Sequence, residues 1–200
     1  MVGPGLRLTA LAVAAFGIFA CSKKEADGSD TAASTGRGAD TSAPGASSTT
    51  PGTWTDANIF ALLDEANMGD SAAGALASTK GTSSALRDFG RRMARDHHTL
   101  RVQGEALAKR MKITPIPPDE DNLIADAQKN LDNLNATAKG KDFDKAYIDS
   151  EVEAHKRVLE LVTRAMEEAE STELKNLIQK AAPVIRDHLD LAQSIQTSLK

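Results

Sequence analysis

One cysteine, Cys21, stands in 200 residues. No disulfide can form within the chain, so a small disulfide-stapled framework is excluded. Trp and Tyr occur once each and aromatic residues make up 4%. Basic residues form no stripe interleaved with aromatics, so nucleic-acid binding has no support. Gly-rich phosphate loops, CxxC pairs and Ser or Lys nucleophile motifs are absent. No apolar run after residue 20 reaches the ~20 residues that a spanning helix needs, which excludes a polytopic membrane protein. The most telling gap is residues 22–53, which hold no Val, Ile, Leu, Met, Phe, Trp or Tyr. Such a segment cannot bury enough apolar surface to offset the entropy of ordering.

What remains divides into three parts. Residues 1–20 read as a signal peptide: Arg7 gives a short positive region, and Leu8 to Phe19 give an apolar stretch too short to span. Ile18-Phe19-Ala20-Cys21 then reads as a lipobox, aliphatic at −3 and small at −1, with Cys21 as the lipid-attachment residue. Cleavage after a small-x-small pattern is the alternative, against which Ile18 stands. Residues 21–53 become a lipidated cysteine plus a disordered linker rich in Ser, Thr, Gly and Ala. A coil of that length spans roughly 30 Å, enough to hold a domain clear of a membrane. The predicted partner is a membrane, reached through the lipid anchor. The predicted location is the bacterial cell envelope, and Ser22 after the cysteine favours the outer membrane, facing the periplasm. Residues 54–200 are the size of one domain, which leaves no room for a second.

In that domain apolar residues recur every three or four positions, the helical period, with no sustained alternation. Long helices are expected near 55–79, 84–112, 143–169 and 172–198. A short one is expected near 120–138. Thr55, Ser83 or Ser84, and Ser171 or Thr172 are the predicted N-caps. Gly81, the Pro-rich run 113–118 and Gly140 are the predicted breaks. Pro183 falls inside the last helix and should kink it. Four long helices with one long connection in the middle predict an all-α, ferritin-like four-helix bundle with the short helix on the crossover. The net charge of −4, with both signs mixed, reads as a solvated surface.

Polar residues interrupt the apolar stripes once per long helix. His97, His155 and His188 lie on three stripes and Asp70 on the fourth, whereas His98 falls off its stripe by about 100°. Imidazole nitrogens that converge at one depth suit a transition-metal ion, and a carboxylate can complete the shell. Asp96, Glu151, Tyr147 and Asp187 are near enough in sequence to support those ligands from behind. The alternative is a core hydrogen-bond network that fixes helix register with no ligand. Di-iron bundles use Glu-x-x-His on two helices. Here Ala94, Val152 and Ile185 stand three residues before the histidines, which disfavours that centre.

At these residues the chain resembles a known family. The run Met93-Ala94-Arg95-Asp96-His97, Phe143 and Asp144 with Tyr147 and then His155, Pro183 followed by His188, and Asn67 to Asp70 look like the signature of the bacterial domain-of-unknown-function 4142 family. The likeness covers about residues 54–199. The family usually carries Glu where Asp70 stands, and often Gln where Glu151 stands. The resemblance implies a ferritin-like bundle in an exported or outer-membrane protein with no established activity. Two functions follow as expectations. One is a non-catalytic binding or structural module of the envelope, with its protein partner unnamed by the sequence. The other is a metal-binding or metal-redox protein.

Overall fold

The computed structural model describes residues 53–199. The signal-peptide, Cys21 and linker expectations fall on residues outside that range. Among the described residues the fold is all-helical: α1 (Asp56–Lys80), α2 (Ser84–Met111), α3 (Leu123–Ala136), α4 (Lys141–Glu168) and α5 (Thr172–Ser198). None of these helices is long and apolar enough to cross a membrane.

Local chemistry sets the helix ends. Thr55 opens α1 with a capping box: the Asn58 amide donates to Thr55 Oγ1, and the Thr55 amide donates to Asn58 Oδ1. Ser83 and Ser171 cap α2 and α5 by accepting from the amides of Leu86 and Leu174. The end of α2 comes at Met111, because Lys112 takes the left-handed conformation (φ 58°) that closes the helix before the prolines do. The start of α3 comes at Leu123, whose amide donates to Asp121 Oδ1, just after the extended Pro-rich run. Through Pro183 α5 continues without a break.

α1 lies along α2, and α4 along α5, each pair joined by a tight turn. α1 and α2 come into close backbone contact at two glycines. A Cβ on Gly74 would stand 2.8 Å from Gly90 O, and one on Gly90 would stand 2.7 Å from Gly74 O. Each hairpin turn is held by a buried carboxylate from the other hairpin. Asp144 on α4 accepts from the Thr82 amide at 3.1 Å and from the Thr82 hydroxyl. Asp56 on α1 accepts from the amides of Glu170 at 2.8 Å and Ser171 at 3.2 Å. α3 rests on α1 and α4, and Lys80 Nζ donates to the Leu134 and Asn135 carbonyls at its end.

The apolar core has two parts. One gathers Ala73, Phe89, Met93, Tyr147, Val152 and Ala192. The other gathers Ile59, Leu107, Val162, Ile178 and Ile185. Each long helix passes from one part to the other, and each carries a buried polar residue at the crossing: Asp70, His97, His155 and His188.

Candidate metal centre

These four positions follow from the helical period. On α1 Asp70 precedes Ala73 by one turn. On α2 His97 follows Met93, on α4 His155 follows Val152, and on α5 His188 follows Ile185. Each therefore faces the same way as its core neighbour. His97, His155 and His188 are at most 1% exposed. The three rings form a nearly equilateral triangle. Centroids are 5.1 Å apart for His97 and His188, 5.4 Å for His97 and His155, and 5.6 Å for His155 and His188. One ring nitrogen from each lies within 4.8 Å of the other two.

The partners of the second ring nitrogens decide where the protons sit. His155 Nδ1 is 2.9 Å from the Glu151 carbonyl oxygen. A carbonyl only accepts, so Nδ1 holds the proton and Nε2 presents a lone pair. That Nε2 is buried and meets no partner. His188 Nε2 is 3.1 Å from Asp96 Oδ2. Burial pushes the Asp96 carboxyl up, but the hydrogen bond from His188, the charge of Arg95 and the hydrogen bond from Arg92 outweigh it and hold it below its ordinary range. Asp96 is thus an anion that accepts, and the His188 lone pair is on Nδ1. This atom stands 3.2 Å from His97 Nε2. Two nitrogens bound to one tetrahedral ion at ~2.0–2.1 Å stand about 3.3 Å apart.

His97 Nδ1 is 2.9 Å from Asn67 Oδ1. With the amide oxygen toward the ring, His97 donates from Nδ1, and its Nε2 lone pair faces that of His188. The Asn67 amide nitrogen donates to the Leu63 carbonyl at 2.6 Å, which fixes the amide oxygen toward the ring. His155 Nε2 stays bare beside these two nitrogens. Burial lowers His97 to about 4, with Asp70 opposing and the other two histidines adding to the effect. Burial also lowers His188, against the pull of Asp96. Both are neutral near pH 7, the form that binds a metal.

Carboxyl groups border the triangle. Asp70 Oδ2 is 3.7 Å from His97 Nδ1, and Glu151 Oε2 is 3.5 Å from His155 Nδ1. Asp70, Glu151 and His155 form a second group with ligand atoms within 4.8 Å of one another. Asp70 Oδ2, Glu151 Oε2 and the Tyr147 hydroxyl are buried with no hydrogen-bond partner. Burial and then the Asp70 charge raise Glu151 well above its usual range, with the nearby Tyr147 hydroxyl opposing. Burial, Glu151 and Asp70 raise Tyr147. Unpartnered buried polar atoms are uncommon. Four of the five among the described residues lie in this one layer.

The supporting residues are placed unevenly. Asp96 does orient a ring, but that of His188 rather than its neighbour His97. Glu151, expected behind the histidines, stands among them. Tyr147 lies beside Glu151 rather than bonded to a ring. Asp187 takes no part: its side chain is 69% exposed and approaches Arg92 at 3.8 Å. One step along a helix turns it about 100° away from His188. His98 is exposed, as expected. Asn67 was not among the expected ligands or supports, although it lies three residues before Asp70 on the same face. The arrangement suits an imidazole-preferring ion such as Zn, Cu, Fe or Ni, held by rings that are themselves buried.

The comparison with curated proteins finds no match. The crystal structure of a DUF305 fragment from Deinococcus radiodurans shares the fold. Its TM-score is 0.62 at 9% sequence identity, covering 72% of this chain and 95% of that one. The chain also matches the family described as Domain of unknown function (DUF4142) over residues 41–195, a span that contains α1 to α4, α5 up to its last three residues, and every residue of the histidine layer. The chain belongs to the DUF4142 family.

Proposed function

We propose that this protein is an envelope lipoprotein that holds one transition-metal ion at the centre of a ferritin-like four-helix bundle. The reading of location rests on the Ile18 to Cys21 lipobox and the linker that follows it. The reading of connectivity rests on two tight hairpins, α1–α2 and α4–α5, with the long segment carrying α3 between them. One observation carries the metal: the buried, unpartnered Nε2 lone pair of His155 beside the ring nitrogens of His97 and His188. A buried acceptor left unmatched costs ~1–3 kcal/mol, and a cation at that point would satisfy it. His97, His155 and His188 are the ligands, Asp70 and Glu151 stand ready to complete the shell, and Asp96 fixes the His188 ring.

The other reading is a scaffold in which the same residues serve as a register-fixing network. The His188–Asp96 and His97–Asn67 contacts favour it, whereas His155 Nε2 speaks against it. Metal content separates the two. Metal-stripped protein is incubated in turn with Zn(II), Cu(II), Fe(II) and Mn(II), desalted and analysed. The metal reading expects one retained ion per chain for an imidazole-preferring metal, with retention lost in His155→Ala. Sub-stoichiometric content for all four ions, with helicity intact, would leave the scaffold.

A further inference from the structure

Outside the histidine layer, one more buried polar atom among the described residues lacks a hydrogen-bond partner, Glu65 Oε2. Glu65 lies on α1, more than a full turn before Asp70, and is 5% exposed. Its neighbour across the fold is Asp121, in the segment between α2 and α3, whose carboxyl is within hydrogen-bonding reach. Two carboxylates therefore meet, and neither can donate to the other while both are charged.

Packing on both sides presses them together. Before Glu65, the Ile116 amide donates to the Ala57 carbonyl at 3.1 Å, and the Asn58 side-chain amide donates to the Ile116 carbonyl at 2.9 Å. After Glu65, a Cβ on Gly69 would stand 2.8 Å from Ala127 Cβ, so α3 lies hard against α1. Asp121 is itself held in place. Its amide donates to the Pro118 carbonyl at 3.0 Å, and its Oδ1 accepts from the Leu123 amide at 2.9 Å. Burial first, then Asp121 and Asp64, raises Glu65 to about 7, and no basic group opposes them. The nearby Arg101 is paired with Asp64 at 2.7 Å. The pair is thus short of a positive charge.

We propose that Glu65 and Asp121 form a cation site, separate from the histidine layer, for a hard divalent ion such as Ca(II) or Mg(II) that ties α1 to the start of α3. The donors are oxygens alone, which such ions prefer over imidazole-binding metals. Glu65 supplies the buried oxygen. Asp121 is half-buried, so water completes the shell from the outer side. Neither residue belongs to the groups that hold the three histidines, Asp70 and Glu151, and the site does not rest on a metal bound there.

The test is a calorimetric titration of the purified protein with calcium chloride and with magnesium chloride at pH 8, where Glu65 is mostly ionised. The expected result is saturable uptake of one ion per chain with a dissociation constant of about 1 mM or below. Glu65→Gln keeps the shape and removes the charge, so it should stay helical and bind about tenfold more weakly or not at all. His155→Ala should bind Ca(II) or Mg(II) as the wild type does. No saturable uptake of either ion, undiminished binding by helical Glu65→Gln, or binding lost in folded His155→Ala would each overturn the proposal. A Glu65 carboxyl resonance that titrates identically with and without both ions would leave a shared proton in the ion's place and overturn it too.

Discussion

His155 donates a hydrogen bond from Nδ1 to the Glu151 carbonyl and leaves Nε2 facing two other imidazoles. The pH dependence of the metal-free protein follows from the groups around it. His97 has an ordinary value of 6.5 and is lowered by burial to about 4. Its contribution is fully present above pH 6.5 and is lost as pH falls toward 4, by about 3 kcal/mol if the whole shift acts on folding. Glu151 has the opposite sign. Its value is raised above 4.5, so its contribution is full below pH 4.5 and is lost as pH rises. Glu151→Gln removes the second limb, so its stability relative to wild type should increase with pH. Urea unfolding in steps from pH 4 to pH 8 measures this, and a pH-independent difference between the two would refute it. The histidines were legible because their period matches the apolar stripe. Glu151 was read as a support one turn before His155; that its carboxyl enters the layer beside Asp70 depends on how α1 and α4 face each other, a relation that no single helix encodes. Asn67 needed the position of α2 relative to α1, which periodicity within one helix does not contain.

At the scale of elements, the helix ends were readable from single residues. Thr55, Ser83 and Ser171 cap where a short hydroxyl side chain precedes an apolar stripe. The end of α2 was expected one residue late, because the left-handed turn at Lys112 comes before the proline run and has no Gly or Asn to mark it. α3 was drawn too long at its start, since Glu120 to Asn122 have helix-compatible side chains but follow prolines. The glycine contact between α1 and α2 was invisible in the sequence, as it depends on which faces meet. It gives a sharp expectation. Gly90→Ala brings a methyl to 2.7 Å from the Gly74 carbonyl oxygen, a backbone atom that cannot swing aside. Overpacking of this kind costs ~1–3 kcal/mol, despite the better helix propensity of Ala. Thermal or urea unfolding checks it, and a stabilised variant would show that the helices can separate freely. Asp144→Ala should be comparably destabilising, by ~1.5–3 kcal/mol, because it strips the acceptor from Thr82 in the neighbouring hairpin turn. Unfolding of that variant at the wild-type midpoint would count against the turn clamp.

Taken as a whole, the molecule places its polar layer between two apolar core regions, an arrangement that costs stability unless the layer is satisfied. The all-helical fold was readable because five amphipathic segments with clear ends leave few alternatives. The depth at which polar residues meet was readable only as a possibility, since it requires all four helices to be in register. The proposed envelope location belongs to this scale too. Cys21→Ser should move the protein from the membrane fraction to the soluble fraction of its bacterial host, and unchanged membrane association would argue against a lipid anchor. Metal binding should raise the unfolding temperature in proportion to the logarithm of free metal above its dissociation constant. The central claim concerns the identity of the ligands, and the X-ray absorption spectrum of the metal-loaded protein tests it most directly. Three imidazoles, His97, His155 and His188, should appear as a nitrogen shell at ~2.0–2.1 Å with the outer-ring scattering of histidine. A shell of oxygen alone, or the same spectrum from His155→Ala, would contradict it.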